Sequence, residues 1–382
     1  MLRLELSDDA LGPVSRGHPW VYASGIKGPR PRTGEPVLLT DRRNRPVGFG
    51  LADSGDIAVR VLGRQPDHIR ALLARRISSA AAARPALLPP ETDAYRLING
   101  AGDGLPGLVA DRYGSLVVLR VYGACWLRHL DAVVDQLAII DGVTSVMRRL
   151  GVRRVDGGDG HEVLFGPPPP ETIVVTEHGL RFLVRPTVGQ KTGLFLDQRE
   201  HRHRVGALSR SADSVVNLFA YTGGFSVYAA AAGAKRVTTV DISSDAIEDA
   251  RENFRLNGLD PDAHVFAAED AFRYTPEQKP DVLVCDPPSL SRSQKSDRQA
   301  GRAYQDLAEQ CGKQLSGGGL LATASCTARL SQERWEQAIR DGLRKSGRWS
   351  WLWRAAEPPD HPVHTQHPEG RYLKFGLLRR LQ

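Results

Sequence analysis

The sequence lacks long apolar segments and contains few cysteines. Its 382 residues include no run of about eighteen apolar side chains, which a membrane-spanning helix needs, and no charged and apolar leader at the N-terminus. The four cysteines lie far apart and form no C-x-x-C pair, which argues against a disulfide framework or a zinc site. We therefore expect a protein of a reducing compartment, by default the cytoplasm, that does not contact membranes. The cysteines are Cys125, Cys285, Cys311 and Cys326.

Two further absences concern ligands. The turn after the strand-like segment 214–218 contains only Gly223 and Gly224 instead of G-x-G-x-x-G, the pattern that holds the pyrophosphate of a dinucleotide. His361, His364 and His367 are spaced like metal ligands, but prolines interrupt the segment and no cysteine lies nearby. We predict no metal and disfavour a nicotinamide cofactor.

What the sequence has is an excess of positive charge. The net charge is +7 and the isoelectric point about 9.4, which favour a polyanionic partner such as nucleic acid, although an arginine-rich composition also arises in GC-rich genomes. With 41% hydrophobic and 25% charged residues, the composition is that of an ordinary globular chain. The length is sufficient for two or three domains with cores of their own.

The pattern of strands and helices divides the chain into three parts. Residues 1–66 show short strands separated by turns, typical of a small all-β module. Residues 67–186 begin with an alanine-rich helix, 68–83, and end in a hairpin joined through His178 and Gly179. Residues 187–382 alternate strands with helices, which indicates an α/β fold with a parallel sheet.

The α/β part contains a candidate nucleoside site. The strand 214–218, the paired glycines and the following helix bring backbone close to a ligand. About twenty residues later, the next strand ends in Asp241, whose carboxylate can accept both ribose hydroxyls; a helix N-cap is its alternative role. After the third strand, Asp270 can bind an adenine amino group. Because S-adenosylmethionine has no phosphate, it fits this turn better than a dinucleotide does.

A thiol and a carboxylate follow two later strands. Asp286 comes after 282–285, and Cys326 comes after 320–325, about forty residues further on. In a parallel sheet, side chains at the carboxyl ends of adjacent strands face one crevice, so we expect the two groups to meet. The pair suits covalent attack on an electron-poor ring, whereas a free cysteine taken alone is more often a buried apolar residue.

Several longer motifs resemble one family. They are 16–22 (RGHPWVY), 99–108 (NGAGDGLPGL), 186–199 (PTVGQKTGLFLDQR), 360–363 (DHPV) and 368–374 (PEGRYLK). Together with the Tyr-Thr-Gly turn and the Asp-Pro-Pro strand end, they resemble the bacterial 23S ribosomal RNA cytosine-5 methyltransferases that carry an N-terminal PUA domain. The likeness covers nearly the whole chain. One departure is Ala101, where the family usually has glutamate.

The resemblance implies a fold. It is α/β, with a doubly wound, Rossmann-like class I methyltransferase domain at 187–382, preceded by an all-β PUA-like RNA-binding domain at 1–66 and a small central α+β domain at 67–186. The implied cofactor is S-adenosyl-L-methionine. Its predicted binding residues are Gln190, Lys191, Thr192, Phe195, Asp197, Arg199, Asn217, Phe219, Tyr221, Thr222, Gly223, Asp241, Ile242, Asp270, Ala271, Asp286 and Pro287.

The resemblance also implies a reaction. Carbon 5 of cytosine has no lone pair, so the ring must be activated by a nucleophile at carbon 6, and Cys326 would be that nucleophile. Asp286 would contact or protonate ring nitrogen 3. Many cytosine-5 RNA methyltransferases have a second cysteine where this chain has Ser289, so another base or water must assist product release. Cys285 is expected in the core.

The expected substrate is large-subunit ribosomal RNA, and a homodimer is an open option. Predicted RNA contacts are Arg16, His18 and Trp20, although Trp20 could equally pack within its domain. Two alternatives stay open: methylation of a guanine nitrogen on the same fold, which needs no thiol, and a non-catalytic RNA-binding factor of ribosome assembly. The modified nucleotide does not follow from the sequence.

Overall fold

The computed structural model describes residues 1–152, 155–290 and 297–381. The chain packs into two compact units that interleave along the sequence. The first unit consists of Met1–Val175, Val184–Leu196 and Pro359–Gly370, and the second of Thr176–Leu183, Asp197–Pro358 and Arg371–Gln382. The boundaries of the three predicted domains stay a prediction. Among the described residues, no helix has the length and apolarity that crossing a bilayer requires.

The first unit begins with a six-stranded sheet of strand order β2-β6-β5-β4-β1-β3. Its strands are β1 (Leu2–Leu6), β2 (Trp20–Tyr22), β3 (Ile26–Lys27), β4 (Pro36–Thr40), β5 (Pro46–Ala52) and β6 (Ile57–Gly63). The module is not all-β as expected, because helix α1 (Asp8–Arg16) follows the first strand. The Ser7 side chain caps its first turn and Gly17 ends it in the left-handed conformation.

A second sheet in the first unit has the order β11-β10-β9-β8-β7. It consists of β7 (Ala94–Asn99), β8 (Leu108–Tyr113), β9 (Leu116–Val121), β10 (Ser145–Arg149) and β11 (His161–Phe165), with helices α2 (Ile69–Ala83) and α3 (Leu130–Ala138). Phe49, Leu51 and Leu62 of the N-terminal sheet belong to the same apolar core as Trp126 of this region. One apolar core therefore includes residues from both sides of the predicted domain boundary at residue 66.

The distant segment Pro359–Gly370 completes the first unit. The Arg96 backbone N–H donates to Asp360 at 2.9 Å, and the Asn99 side-chain amide donates to the Pro362 carbonyl at 2.9 Å. A Cβ atom on Gly102 would lie 1.7 Å from that carbonyl oxygen, so only glycine allows this approach. The segments 99–108 and 360–363, which both carry the family resemblance, thus lie against each other.

The second unit contains a seven-stranded sheet of order β16-β15-β14-β17-β18-β20-β19. Its strands are β14 (Ser214–Leu218), β15 (Arg236–Asp241), β16 (Val265–Ala268), β17 (Val282–Cys285), β18 (Leu320–Ser325), β19 (Trp349–Ala355) and β20 (Lys374–Arg380). The first five run parallel to one another, and β20 is antiparallel to both β18 and β19. The strand order reverses at β14: β15 and β16 follow on one side of it, and β17 and β18 on the other, as in doubly wound folds.

Helices connect the strands of this sheet. They are α4 (Arg199–Leu208), α5 (Gly224–Ala231), α6 (Ser244–Leu256), α7 (Asp297–Gln314) and α8 (Gln332–Leu343). The predicted hairpin consists of β12 (Ile173–Glu177) and β13 (Leu180–Val184), and its turn residues His178 and Gly179 both have positive φ, at 49° and 78°. That geometry matches the right-handed twist of the two strands.

Candidate active site

The carboxyl ends of β17 and β18 form the centre of the candidate site. The two strands pair in parallel with Cys285 opposite Thr323, so Asp286 and Cys326 each follow the last residue of neighbouring strands. Asp286 and Cys326 are both partly exposed. The Thr327 hydroxyl lies 3.3 Å from the Ser289 hydroxyl and accepts a hydrogen bond from the Leu290 N–H at 3.3 Å, which ties the two loops together.

Two polar side chains surround Cys326. Tyr304 of α7 is buried, and its hydroxyl lies 3.0 Å from the Thr327 hydroxyl. Burial, with a smaller contribution from negative charge on Cys326 and Asp286, raises the pKa of Tyr304 to about 12, so both groups are within electrostatic range of one phenol. Lys374 of β20 is 4% exposed, and its ammonium donates to the carbonyls of Thr327 and Tyr372, both at 2.9 Å.

A buried hydrogen-bonded chain supports Asp286. The Gln198 side-chain amide donates to Asp286 Oδ2 at 2.8 Å, and its carbonyl oxygen bonds to His201 Nδ1. His201 stacks on Phe375 with ring centroids 4.1 Å apart. Burial lowers the pKa of His201 to about 4, so the ring is neutral at pH 7 and is fixed by packing and by Gln198.

Asp241 organises the glycine turn after β14. Its Oδ2 accepts from the Tyr221 N–H at 2.8 Å and its Oδ1 from the Ser243 N–H at 3.0 Å. Ser243, not Asp241, is the N-cap of α6, so the alternative role weighed for Asp241 is wrong. Phe219 and Tyr221 have φ of 58° and 49°, a left-handed conformation that non-glycine residues adopt only when the surroundings enforce it.

Apolar surface lies at the carboxyl ends of β15 and β16. Ile242 is 76% exposed and Phe272 44% exposed, and the Phe272 ring packs edge-to-face against Phe219 with centroids 4.8 Å apart. Asp270 accepts from the Phe272 N–H at 3.0 Å, and Ala271 beside it is buried. Large apolar side chains exposed beside two carboxylates are suited to sandwich an adenine ring.

Other predicted cofactor residues of this sheet are buried. The Asn217 amide donates to the Ser226 hydroxyl at 3.0 Å, while its carbonyl oxygen has no hydrogen-bond partner in the described part of the chain. Thr222, Gly223 and Pro287 are buried as well. A Cβ on Gly223 would lie 2.9 Å from the Cβ of Ala250, so this position, with φ of 75°, requires glycine.

The motif 186–199, which contains six of the predicted cofactor residues, divides between the two units. Asp197 and Arg199 belong to the second unit and are buried; the Tyr372 hydroxyl donates to Asp197, and Arg199 donates to Glu200 at 3.0 Å. Gln190, Lys191, Thr192 and Phe195 belong to the first unit.

The four residues of this motif that lie in the first unit have different surroundings. The Thr192 hydroxyl is buried and donates to Asp111 at 2.7 Å, so the fold already engages it. Lys191 lies over the Phe195 ring, 4.2 Å from its centroid, and Gln190 is exposed.

The predicted RNA contacts lie around one cavity of the first unit. Arg16, His18 and Trp20 line a cavity of about 450 Å³, together with Tyr22 and Glu369. His18 Nε2 lies 3.4 Å from the Glu369 carboxylate, and the Trp20 ring packs against His367 with centroids 4.2 Å apart. Trp20 therefore both packs within the unit and borders an open cavity.

Sequence reasoning overlooked the residues that support the centre. Gln198, Tyr372 and Lys374 lie in segments that carry the family resemblance, but nothing in their spacing shows which partners they contact. Cys285 was correctly expected in the core: it is 2% exposed, and a hydrogen bond with the Cys311 side chain, then burial, raise its pKa well above the ordinary value. In the described part of the chain, no three metal-ligating side chains converge.

Comparisons with known proteins identify the family. Residues 105–365 match the model of an S-adenosylmethionine-dependent methyltransferase, and residues 4–64 match that of a PUA-like domain. The chain belongs to the S-adenosylmethionine-dependent methyltransferases. The methyltransferase fold and an N-terminal PUA-like domain are thereby confirmed, as is S-adenosylmethionine as cofactor.

Two relatives span the full length of this methyltransferase. A ribosomal RNA large subunit methyltransferase of Deinococcus radiodurans is 40% identical, with 99% of this chain and 97% of that protein covered. Ribosomal RNA large subunit methyltransferase I of Shewanella amazonensis is 33% identical, with 100% and 99% covered.

A solved structure agrees with this fold. A Streptococcus mutans chain, provisionally described as a SAM-dependent methyltransferase, superimposes with a TM-score of 0.87 over 99% of this methyltransferase and 100% of that chain. At 24% identity, the likeness concerns the fold alone.

The residues at the carboxyl edge of the sheet fit S-adenosylmethionine. Asp241 presents a carboxylate at the end of β15, and exposed apolar side chains flank the ends of β15 and β16. The partnerless carbonyl oxygen of Asn217 is an additional buried acceptor near the same turn. When bound, S-adenosylmethionine supplies an electrophilic methyl group attached to a sulfonium.

Proposed function

We propose that this methyltransferase modifies carbon 5 of a cytosine in large-subunit ribosomal RNA. The observation that carries the proposal is a partly exposed cysteine, Cys326, at the end of β18 beside the strand that ends in Asp286. Methylation of a guanine nitrogen uses the lone pair of that nitrogen and needs no thiol. The two full-length relatives named as ribosomal RNA large subunit methyltransferases support the RNA substrate and, with it, a cytoplasmic enzyme.

Cys326 would open the reaction as a thiolate. Its sulphur bonds to carbon 6 of cytosine, and the electron pair of the bond between carbons 5 and 6 moves to carbon 5, which then takes up the methyl group. A base removes the proton from carbon 5. The returning electron pair re-forms the double bond and expels the thiolate, leaving 5-methylcytosine.

Asp286 would act at the pyrimidine ring. Negative charge builds at nitrogen 3 and the exocyclic oxygen when sulphur adds, so a carboxyl group there must donate a proton or a hydrogen bond. Gln198 holds one Asp286 oxygen at 2.8 Å and so fixes the carboxyl orientation. Ser289 stands where many related enzymes have a second cysteine; its hydroxyl lies 3.3 Å from that of Thr327.

Replacing Cys326 by serine tests the nucleophile. Serine keeps the approximate size but loses the easily ionised thiol, so we expect methyl transfer to fall at least about a thousandfold, on the order of 4 kcal/mol of barrier. S-adenosylmethionine affinity, measured by calorimetry, should barely change. Normal methylation by Cys326→Ser would overturn the role of the thiol.

Two RNA measurements separate the alternatives. Mapping 5-methylcytosine in ribosomal RNA with and without this protein should reveal one missing site. RNA with 5-fluorocytidine at that site should trap the wild-type protein in a denaturation-resistant adduct, because fluorine cannot leave as a proton does, and Cys326→Ser should form none. A missing methylguanine would favour nitrogen methylation, and no missing modification at all would favour an assembly factor.

A further inference from the structure

We propose that Lys374 is a positioning residue that supplies the positive charge needed to hold Cys326 as a thiolate. This inference rests on the proposed nucleophilic role of Cys326. Lys374 is the first residue of β20 and pairs with Ser325, the residue immediately before Cys326, in the antiparallel ladder with β18. The backbone register therefore fixes Lys374 beside the end of the strand from which the thiol projects.

The surroundings of Lys374 do not neutralise its charge. Lys374 is 4% exposed, and its ammonium donates to the carbonyls of Thr327 and Tyr372, both at 2.9 Å. Among the described residues, no carboxylate forms an ion pair with it. Burying an ammonium that is bound only to neutral acceptors costs free energy. A negatively charged partner in the site would offset that cost.

The described groups near the thiol favour a positive charge beside it. When ionised before the base binds, Asp286 at the end of β17 opposes a second negative charge on sulphur, and Tyr304 of α7 is a neutral phenol below its pKa of about 12. Glu357 acts on Lys374 from a distance, but its Oε1 accepts from the backbone N–H groups of Tyr372 and Leu373, at 2.7 and 2.8 Å.

Electrostatics around Lys374 agree with this arrangement. Burial lowers its pKa, whereas the negative charges of Glu357 and Cys326 raise it. Lys374 and Cys326 thus stabilise each other's charged forms. The pair then resembles other activated cysteines, in which a neighbouring cation favours the thiolate.

Alkylation of Cys326 by iodoacetamide tests the inference without RNA or methyl transfer. Cys125, Cys285 and Cys311 are buried, so mass spectrometry of the Cys326 peptide reports on one thiol. In Lys374→Gln, which keeps a hydrogen-bond donor but loses the charge, we expect alkylation at pH 7 to fall about tenfold and its pH profile to move to higher pH. Lys374→Arg should restore most of the wild-type profile.

A control distinguishes this effect from misfolding. Calorimetric titration with S-adenosylmethionine should give wild-type affinity in Lys374→Gln if the sheet is intact. If Lys374→Gln fails to bind, Lys374→Arg against wild type supplies the comparison: an alkylation profile in Lys374→Arg like that of wild type supports the inference, and a profile moved to higher pH overturns it. An unchanged profile in a folded Lys374→Gln also overturns it. Normal methylation by Cys326→Ser would overturn the proposed function and leave the alkylation result standing.

Discussion

Asp241 organises the glycine turn and is predicted to bind the cofactor ribose as well. Backbone N–H groups of Tyr221 and Ser243 bind its two oxygens, yet each oxygen retains a further lone pair for a ribose hydroxyl. Loss of charge in Asp241→Asn should weaken S-adenosylmethionine binding about 30- to 150-fold, equivalent to about 2–3 kcal/mol. Calorimetry measures this change.

The matched control for Asp241 is Asp245→Asn. Asp245 is an exposed carboxylate in the first turn of α6, four positions after Asp241. Its replacement by asparagine removes the same charge. The affinity of the Asp245→Asn variant for S-adenosylmethionine should stay within about twofold of wild type, as expected for an exposed surface change. Equal losses in both variants would mean that net charge, rather than a specific contact, determines binding.

The sequence predicted that the two candidate catalytic side chains follow neighbouring strands, but it did not predict the hydrogen bonds that surround them. Asp286 and Cys326 could be placed together because parallel strand ends share one edge, and the sheet order confirms that the two strands are neighbours. The connections from Gln198 to Asp286, and from Lys374 to the loop after Cys326, could not be predicted. They join residues 88 and 47 positions apart through side-chain orientations that no local pattern encodes.

Among the elements, the hairpin strand β12 is joined to helix α4 by a buried ion pair. Arg202 donates to both oxygens of Glu177, at 2.9 and 2.6 Å, and Tyr228 donates to Oε1 at 3.1 Å. Glu177→Ala leaves a buried guanidinium without its partner, so the free energy of unfolding should fall by about 3–5 kcal/mol. Urea denaturation of full-length protein measures it.

An exposed pair provides the comparison. Arg255 donates to Glu252 within α6 at 3.2 Å, and both side chains are about half exposed. Glu252→Ala should lower the free energy of unfolding by no more than about 0.5 kcal/mol, because an exposed ion pair is little more stable than its two hydrated charges. A similar loss in the two variants would contradict the importance of burial for the Glu177 pair.

Elements with regular patterns were predicted well, and those that depend on capping were not. The alanine-rich helix, the hairpin and every strand of the parallel sheet are where periodicity and turn residues predicted them. Helix α1 was missed because Gly12 and Pro13 lie inside it and resemble a turn. Its signals were instead local: Ser7 at the N-cap, two acidic residues in the first turn and Gly17 at the end.

For the whole molecule, the net charge of +7 makes proposed RNA binding sensitive to salt. Arg16 is exposed and lines the cavity of the N-terminal sheet. Arg16→Ala should weaken RNA binding at low salt and reduce the slope of log affinity against log salt by about 1. Fluorescence anisotropy across a salt series measures the slope. Arg3→Ala, outside the cavity, serves as control. Equal slopes for wild type, Arg16→Ala and Arg3→Ala would exclude a phosphate contact at Arg16.

The discontinuity of the first unit has a consequence for synthesis. A ribosome releases the N-terminal sheet early, but the hydrogen bonds from Arg96 to Asp360 and from Asn99 to Pro362 cannot form until Pro359–Gly370 has been translated. By then six of the seven strands of the catalytic sheet also exist, and only β20 is missing. The nascent chain should therefore lack a finished first unit until β14 to β19 of the second unit have been synthesised, so the two units must complete their folding together.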